Sequence, residues 1–194
     1  MFLDDEGNDI GKQSPAADAA DQDLVTFAAV VPEGVGFPIV VFDNNAALRA
    51  AIVDRGTARH LGDEWRSGGL YLLLGRRNAT GEWGASIGTA ISDLAEQATS
   101  RFCDQDDWYR ALLVQRDTTY GFTSAQLDWL EGQLHDVLAA AQNVRLTNKT
   151  KPVEATLGSS EPQVLELALE SIRRVLRLIG HDTSHGDDTD PAAG

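Results

Sequence analysis

The chain has 194 residues, a net charge of −14 and 42% hydrophobic residues, which is enough apolar material for one globular domain with a buried core. Its single cysteine, Cys103, excludes an intramolecular disulfide scaffold, and the four histidines add no zinc-ligand spacing. No apolar run approaches the roughly 20 residues of a membrane helix, and the first residues are acidic rather than signal-like. We therefore expect a cytoplasmic protein with no membrane partner.

The negative charge is concentrated at the two ends of the chain. Residues 1–23 carry −6 and residues 181–194 carry −4, which leaves −4 for residues 24–180. Phosphate contacts need clustered Lys and Arg, so this balance disfavours nucleic-acid binding without excluding a local basic patch. We expect a single domain at residues 24–180 between acidic disordered tails at residues 1–23 and 181–194.

The first half of the chain predicts mainly strands. Two apolar runs within residues 24–42, separated by a turn, predict a strand hairpin, and the alanine-rich residues 46–53 after an Asx signal predict a short helix. Gly69–Gly75 is short and apolar throughout, as expected of a central strand buried on both faces. Turn residues at 76–82 then lead to a return strand at residues 83–88.

The second half predicts three helices and two strands. A helix at residues 92–102 and a strand at 108–115 precede a helix at 123–142, which begins with a capping box of Thr123 and Gln126. The chain continues with a short edge strand at residues 144–146 and a helix at 160–179 that has its own capping signal, Ser160 with Gln163. Interleaved strands and helices favour an α/β or α+β fold, a small mixed central sheet flanked by helices.

Several short segments in this order resemble the GIY-YIG nuclease superfamily. Gly-Leu-Tyr at residues 69–71 and Ser-Ile-Gly at residues 86–88 are similar to its two triplets, although the second triplet has lost its tyrosine. Leu-Glu-Gly at residues 130–132 and Thr-Asn-Lys at residues 147–149 are similar to the glutamate helix and the asparagine segment of a bacterial subfamily. The resemblance covers residues 24–180 and implies the small central sheet with flanking helices.

The resemblance also implies a chemistry and a set of site residues. In that family a divalent metal, Mg²⁺ or Mn²⁺, is held by the helix glutamate at the scissile phosphate of DNA, a tyrosine helps to activate water, and an arginine stabilises the transition state. A cation and a guanidinium offset the charge that gathers on a phosphodiester under attack. Glu131 matches the metal ligand, Tyr71 the first tyrosine, and Asn148 a late polar residue at the nucleic acid.

Two catalytic groups of the family are missing from their expected positions. Ser86 stands where the second tyrosine belongs, and Ala95 and Gln97 stand where the helix arginine belongs. Loss of both groups predicts a weak or inactive DNA endonuclease. Arg101, one helical turn after Gln97, leaves open an active enzyme with a displaced arginine. A non-enzymatic module that binds a protein partner is the third reading.

Each of these residues also has an ordinary structural interpretation. Glu131 can be a surface carboxylate beside an apolar stripe, and Tyr71 can be a core tyrosine with its hydroxyl at the sheet edge. Arg76 and Arg77 could contact DNA phosphates, but a charged pair in a hairpin turn is commonly only solvated. Trp129, on the polar side of its helix, is expected to pack under a neighbouring segment rather than stack on a base.

Overall fold

The computed structural model describes residues 26–34, 36–103, 107–148 and 155–183. Within them seven strands form one mixed sheet, and three helices pack on its two faces. The strands are β1 (Ala28–Val30), β2 (Ile39–Asp43), β3 (Leu48–Asp54), β4 (Ser67–Gly75), β5 (Trp83–Ser92), β6 (Trp108–Arg116) and β7 (Val144–Leu146). The helices are α1 (Leu94–Cys103), α2 (Ser124–Ala140) and α3 (Glu161–Leu178), and short 3₁₀ turns lie at Ala58–His60 and Asp63–Trp65.

The strand order across the sheet is β1-β2-β3-β6-β4-β5-β7, and only β5 and β7 are parallel among these neighbouring pairs of the described chain. The predicted fold class, a mixed sheet flanked by helices, is confirmed. The apolar segment at residues 69–75 lies in the interior strand β4, as predicted. No helix in the described ranges is long and apolar enough to cross a membrane.

The alternation of side chains along β4 supplies two separate cores. Leu70, Leu72 and Leu74 face α2 and α3, whose buried stripes include Leu130 on α2. On the opposite face, Tyr71 and Leu73 belong to a second core with α1; its other buried members include Trp65, Leu94, Ala98, Trp108 and Leu113. Trp129 is half-buried against the first core, as predicted. Both faces of β4 are therefore covered.

Residues 46–53, predicted as a short helix, form strand β3 instead. Alanine favours a helix over other ordinary residues by less than about 1 kcal/mol per position, whereas β3 (Leu48–Asp54) pairs with both β2 and β6. The Asx signal serves a turn: Asp43 Oδ1 accepts hydrogen bonds from the backbone N–H groups of Asn45 at 2.9 Å and Ala46 at 3.2 Å. The described residues before position 55 thus form three strands, β1 to β3, and no helix.

The helix predicted at residues 160–179 is α3, but its predicted capping box is absent. Ser160 has a helical backbone, with φ −99° and ψ −11°, and its side chain makes no cap hydrogen bond, whereas a capping side chain usually sits on extended backbone. The carboxylate of Glu161 instead accepts hydrogen bonds from the Gly158 N–H at 2.7 Å and the Gln126 amide at 2.9 Å. These bonds, with the backbone bond first, lower the pKa of Glu161.

The chain remains packed beyond residue 180, where the sequence predicted an acidic tail. His181 and Thr183 are 1% and 4% exposed. The His181 ring meets the Trp83 ring edge-on, with 4.7 Å between centroids, and its Nε2 lies 3.3 Å from the Gly75 carbonyl oxygen. Residues 1–25 and 184–194, which hold the remainder of the two predicted tails, lie outside the described residues.

Stability is expected to fall in mild acid because His181 is buried in its neutral form. Burial lowers the pKa of His181 from its usual 6.5, and the charges of Arg77 and Arg110 lower it further. As the pH falls, the His181 imidazole takes up a proton in the unfolded chain before it does so in the folded chain. The free energy of unfolding therefore decreases as the pH drops below about 6.5. His181→Gln removes this contribution, and thermal melts between about pH 5 and 8 measure it.

The exposed histidine His60 provides the matched control, His60→Gln, for this pH dependence. Carboxylates titrate equally in all three proteins, so the difference between wild type and variant isolates the histidine. We expect His60→Gln to follow the wild-type pH profile. A His181→Gln profile parallel to that of the wild type over this range would contradict the assignment.

Candidate active site

A pocket of about 350 Å³ lies at the edge of the sheet along β5, and five residues predicted from the sequence to form the site line it. Its lining residues are Tyr71, Leu73, Ser86, Ile87, Gly88, Thr89, Arg101, Glu131 and Asn148. Strand β7 pairs with β5 only over residues 83–85, so beyond them this side of β5 has no strand partner in the described chain. Groups from both faces of the sheet meet at this edge.

Tyr71 lies in the middle of β4, directly opposite Gly88 of β5. A Cβ atom at position 88 would lie 2.3 Å from both Cζ and the hydroxyl oxygen of Tyr71, so the ring lies across the glycine. Burial raises the pKa of the Tyr71 phenol, while Arg101 lowers it by its charge and a side-chain hydrogen bond, and the charge of Glu131 raises it. The phenol is therefore protonated at neutral pH.

Gly88→Ala is expected to destabilise the protein by about 1 to 3 kcal/mol, because the added methyl group displaces the Tyr71 ring. The cost should shrink in a Tyr71→Ala background, where the ring is absent. A double-mutant cycle in urea measures this coupling. Gly132→Ala is the control, since a Cβ there meets nothing within 4 Å and alanine favours the helix. Equal costs of Gly88→Ala in both backgrounds would show that the ring does not depend on the glycine.

Arg101 enters the pocket from α1 because of its helical spacing. Leu94 and Ala98 are buried in the second core, and Arg101 follows them by seven and three residues, on the same face of the helix. It lines the pocket together with Tyr71, and its charge lowers the pKa of the Tyr71 phenol. Gln97, where the family resemblance expects the arginine, is exposed. Arg101, the alternative considered from the sequence, is the arginine that lines the pocket among the described residues.

Glu131 reaches the pocket from α2, on the opposite face of the sheet. Its carboxylate oxygen Oε2 accepts a hydrogen bond from the hydroxyl of Thr89 on β5 at 3.3 Å. Burial raises the pKa of Glu131, the Thr89 hydrogen bond lowers it, and the nearby charge of Asp128 raises it. Within the described residues this half-buried carboxylate has no ion pair with a cationic side chain, and poorly solvated carboxylates cluster at functional sites.

Ser86 and Asn148 also line the pocket. Ser86 pairs with Leu73 across the strands, so it lies on the same sheet face as Tyr71. The Asn148 side chain donates to the Ile87 carbonyl oxygen and accepts from the Ile87 N–H, both at 2.8 Å. These two bonds continue the β5–β7 pairing by one position, so Asn148 fixes the edge of β5 under the pocket.

Arg76 and Arg77, the other predicted nucleic-acid contacts, lie away from the pocket. They follow the last residue of β4, and the Arg76 guanidinium lies 4.8 Å from the centroid of the Tyr109 ring. Both are exposed, and neither lines the pocket around Tyr71. A role for this pair at DNA stays a prediction.

Two of the larger clefts elsewhere on the surface are less suited to chemistry. A cleft of about 460 Å³ contains Arg49, whose guanidinium is already hydrogen-bonded to the Gln115 side chain and the Glu64 carbonyl oxygen. A cleft of about 540 Å³ contains Arg66, which is paired with the exposed Asp63 at 3.1 Å. Neither brings a tyrosine, an arginine and a glutamate together. In the described ranges no group of three or more His, Cys, Asp or Glu side chains could hold a metal.

Comparisons of the chain with protein-family models, with curated proteins and with solved structures find no match. The function of the chain is therefore inferred from the side chains of the pocket and from their arrangement.

The sequence analysis missed Thr89, although a signal for it was present. Trp83, Ala85 and Ile87 alternate as buried apolar residues along β5, and the next position in this alternation is a threonine. A polar residue at the end of an apolar alternation indicates either a sheet edge or a buried partner. The partner, Glu131, is distant in sequence and became visible only in the folded structure.

Proposed function

We propose that this pocket is the active site of a slow, metal-dependent DNA endonuclease of the GIY-YIG type. The observation that supports it best is the convergence of the Tyr71 phenol, the Arg101 guanidinium and the Glu131 carboxylate on one pocket, from three different elements. These are the group types that phosphodiester hydrolysis requires: a water-orienting hydroxyl, a cation for the charged phosphate and a metal ligand.

The Glu131 carboxylate fits a site for Mg²⁺ or Mn²⁺. One oxygen is bonded by Thr89, and no described side chain donates to the other. Mg²⁺ commonly uses only one or two protein carboxylates and completes its shell with waters and substrate phosphates, so a single carboxylate suffices. When bound, the metal would supply Lewis-acid stabilisation of charge on a phosphate oxygen.

The remaining steps belong to side chains of this chain. The Arg101 guanidinium, exposed on α1, can bind two phosphate oxygens at once and offset the charge that develops there. The Tyr71 hydroxyl lies within reach of the same arginine and can orient a water by hydrogen bonding. Because burial raises the pKa of Tyr71, the phenol is a poor proton acceptor at neutral pH. Ser86 adds no better acceptor, so turnover is slow.

The test is incubation with plasmid, single-stranded and branched DNA in Mg²⁺ and in Mn²⁺. We expect slow nicking by the wild type and none by Glu131→Gln. Glu166→Gln, an exposed glutamate on α3, is the matched control and should retain the wild-type rate. Salt-sensitive DNA binding without nicking would instead indicate a non-cleaving descendant. Neither binding nor nicking would favour the protein-interaction module.

A further inference from the structure

Positions 83, 85, 87 and 89 of β5 face α2, and Thr89 is the polar residue among them. Trp83, Ala85 and Ile87 on that face are 2%, 0% and 4% exposed. Thr89 pairs across the strands with Leu70 of β4, which is fully buried and offers no polar side-chain atom. Thr89 itself is half-buried, and its hydroxyl finds a hydrogen-bond partner within the protein.

That partner is the carboxylate of Glu131. The Thr89 Oγ1 donates to Glu131 Oε2 at 3.3 Å, across 42 residues of sequence. Within the described ranges no other side chain donates to this carboxylate. The pair joins the middle of α2 to the free edge of β5, beside Gly88 and the Tyr71 ring. Oε2 is therefore the oxygen of Glu131 that accepts this hydrogen bond, and Oε1 accepts none from a described side chain.

We propose that Thr89 is a positioning residue that orients the Glu131 carboxylate for a divalent cation. The inference rests on the proposed metal-dependent function of the pocket. Oε2 accepts the hydrogen bond of the hydroxyl, so Oε1 is the oxygen available as the ligand atom. Partners of this kind orient metal ligands, and their loss typically weakens metal binding by about 10- to 100-fold.

The alternative is that Thr89 only stabilises the fold. Valine has nearly the same shape as threonine and suits the apolar surroundings of position 89, so Thr89→Val should fold normally. A purely structural role would change the melting temperature and leave metal affinity unaltered. A positioning role would change metal affinity more than stability. Thr89→Ser keeps the hydroxyl and serves as the conservative variant.

The experiment measures Mn²⁺ binding to the full chain without DNA, by electron paramagnetic resonance of the free ion, with a thermal melt of each protein. We expect Thr89→Val to bind Mn²⁺ about 10- to 100-fold more weakly than wild type, and Thr89→Ser to bind within a few-fold of it. Nicking in Mn²⁺ should show the same order, with the loss in Thr89→Val partly recovered at high Mn²⁺ concentration.

The outcomes separate this inference from the proposed function. Equal Mn²⁺ affinity of Thr89→Val and wild type would overturn the role of Thr89 and leave the proposed metal site intact. Weak binding by both Thr89→Val and Thr89→Ser would also overturn it, since the hydroxyl would then not be the group that matters. Failure of the wild type both to bind Mn²⁺ and to nick DNA in its presence would overturn the metal site and this inference with it.

Discussion

Removal of the Arg101 guanidinium is expected to lower the rate of DNA nicking by about 10²- to 10³-fold, the usual effect of deleting a transition-state charge partner. Arg101 is the one arginine that lines the pocket with Tyr71 and Glu131 among the described residues. Its loss leaves no arginine or lysine among the described residues that line the pocket. The measurement is the initial rate of plasmid nicking by Arg101→Ala in saturating Mn²⁺, relative to wild type.

Three comparisons make this result specific. Arg101→Lys keeps the charge without the planar fork and should lie between wild type and Arg101→Ala, while Arg59→Ala, at an exposed arginine, should nick at the wild-type rate. Arg101 lowers the pKa of Tyr71, so absorbance titration of Arg101→Ala should show a tyrosine pKa that moves upward. Nicking by Arg101→Ala at the wild-type rate would remove Arg101 from the site.

The length of β5 determines how far Arg101 lies along the sequence from the second triplet, residues 86–88. The strand was predicted to end at Gly88 but continues to Ser92, which adds about 13 Å of extended chain. The chain then turns at Asp93, whose φ is +52°, and α1 begins at Leu94. Seven residues of helix from Leu94 to Arg101 recover about 10 Å. Arg101 lines the pocket together with Gly88, whereas Gln97 does not line it.

The end of β5 and the position of α1 are the features near the pocket that the sequence could not predict. The glycine-bounded strand, the long amphipathic helix α2 and the edge strand β7 each have strong local signals and were predicted correctly. The end of β5 has no such signal, because Gly88 suggests an earlier stop while the strand pairs with β4 as far as Ser92. The position of α1 over the sheet depends on that end. Spacing counted from the second triplet points to Ala95 and Gln97, whereas the pocket is lined by Arg101, the alternative named from the sequence.

Long-range pairing also decided the two largest differences from prediction. The alanine-rich residues 46–53 have a helical preference, yet hydrogen bonding to β6 over the whole of Leu48–Asp54 outweighs it. His181 has no partner spacing in the sequence, yet it packs on Trp83 and Gly75, about 100 residues earlier. Five of the seven candidate site residues named from the sequence line one pocket, whereas contacts between distant segments were not predicted.

Glu131→Gln is expected to abolish nicking and, without divalent cations, to raise the melting temperature. Burial raises the pKa of Glu131, so the folded chain gives up this proton less readily than the unfolded chain. The ionised carboxylate therefore costs stability above the folded pKa, and the cost disappears below the unfolded pKa, about 4.5. Glutamine removes the charge and can still accept the Thr89 hydrogen bond.

Because the carboxylate is only half-buried, the gain should be small, about 1 to 3 °C for a chain of this size. It should be present at pH 7 to 8 in a chelator and vanish near pH 4. Saturating Mn²⁺ should reverse the order, since ligand binding stabilises only a folded protein that retains the metal ligand. Glu166→Gln should show neither effect. If Glu131→Gln melted below wild type in chelator, Glu131 would be a stabilising surface residue instead of a carboxylate held at a cost for metal binding.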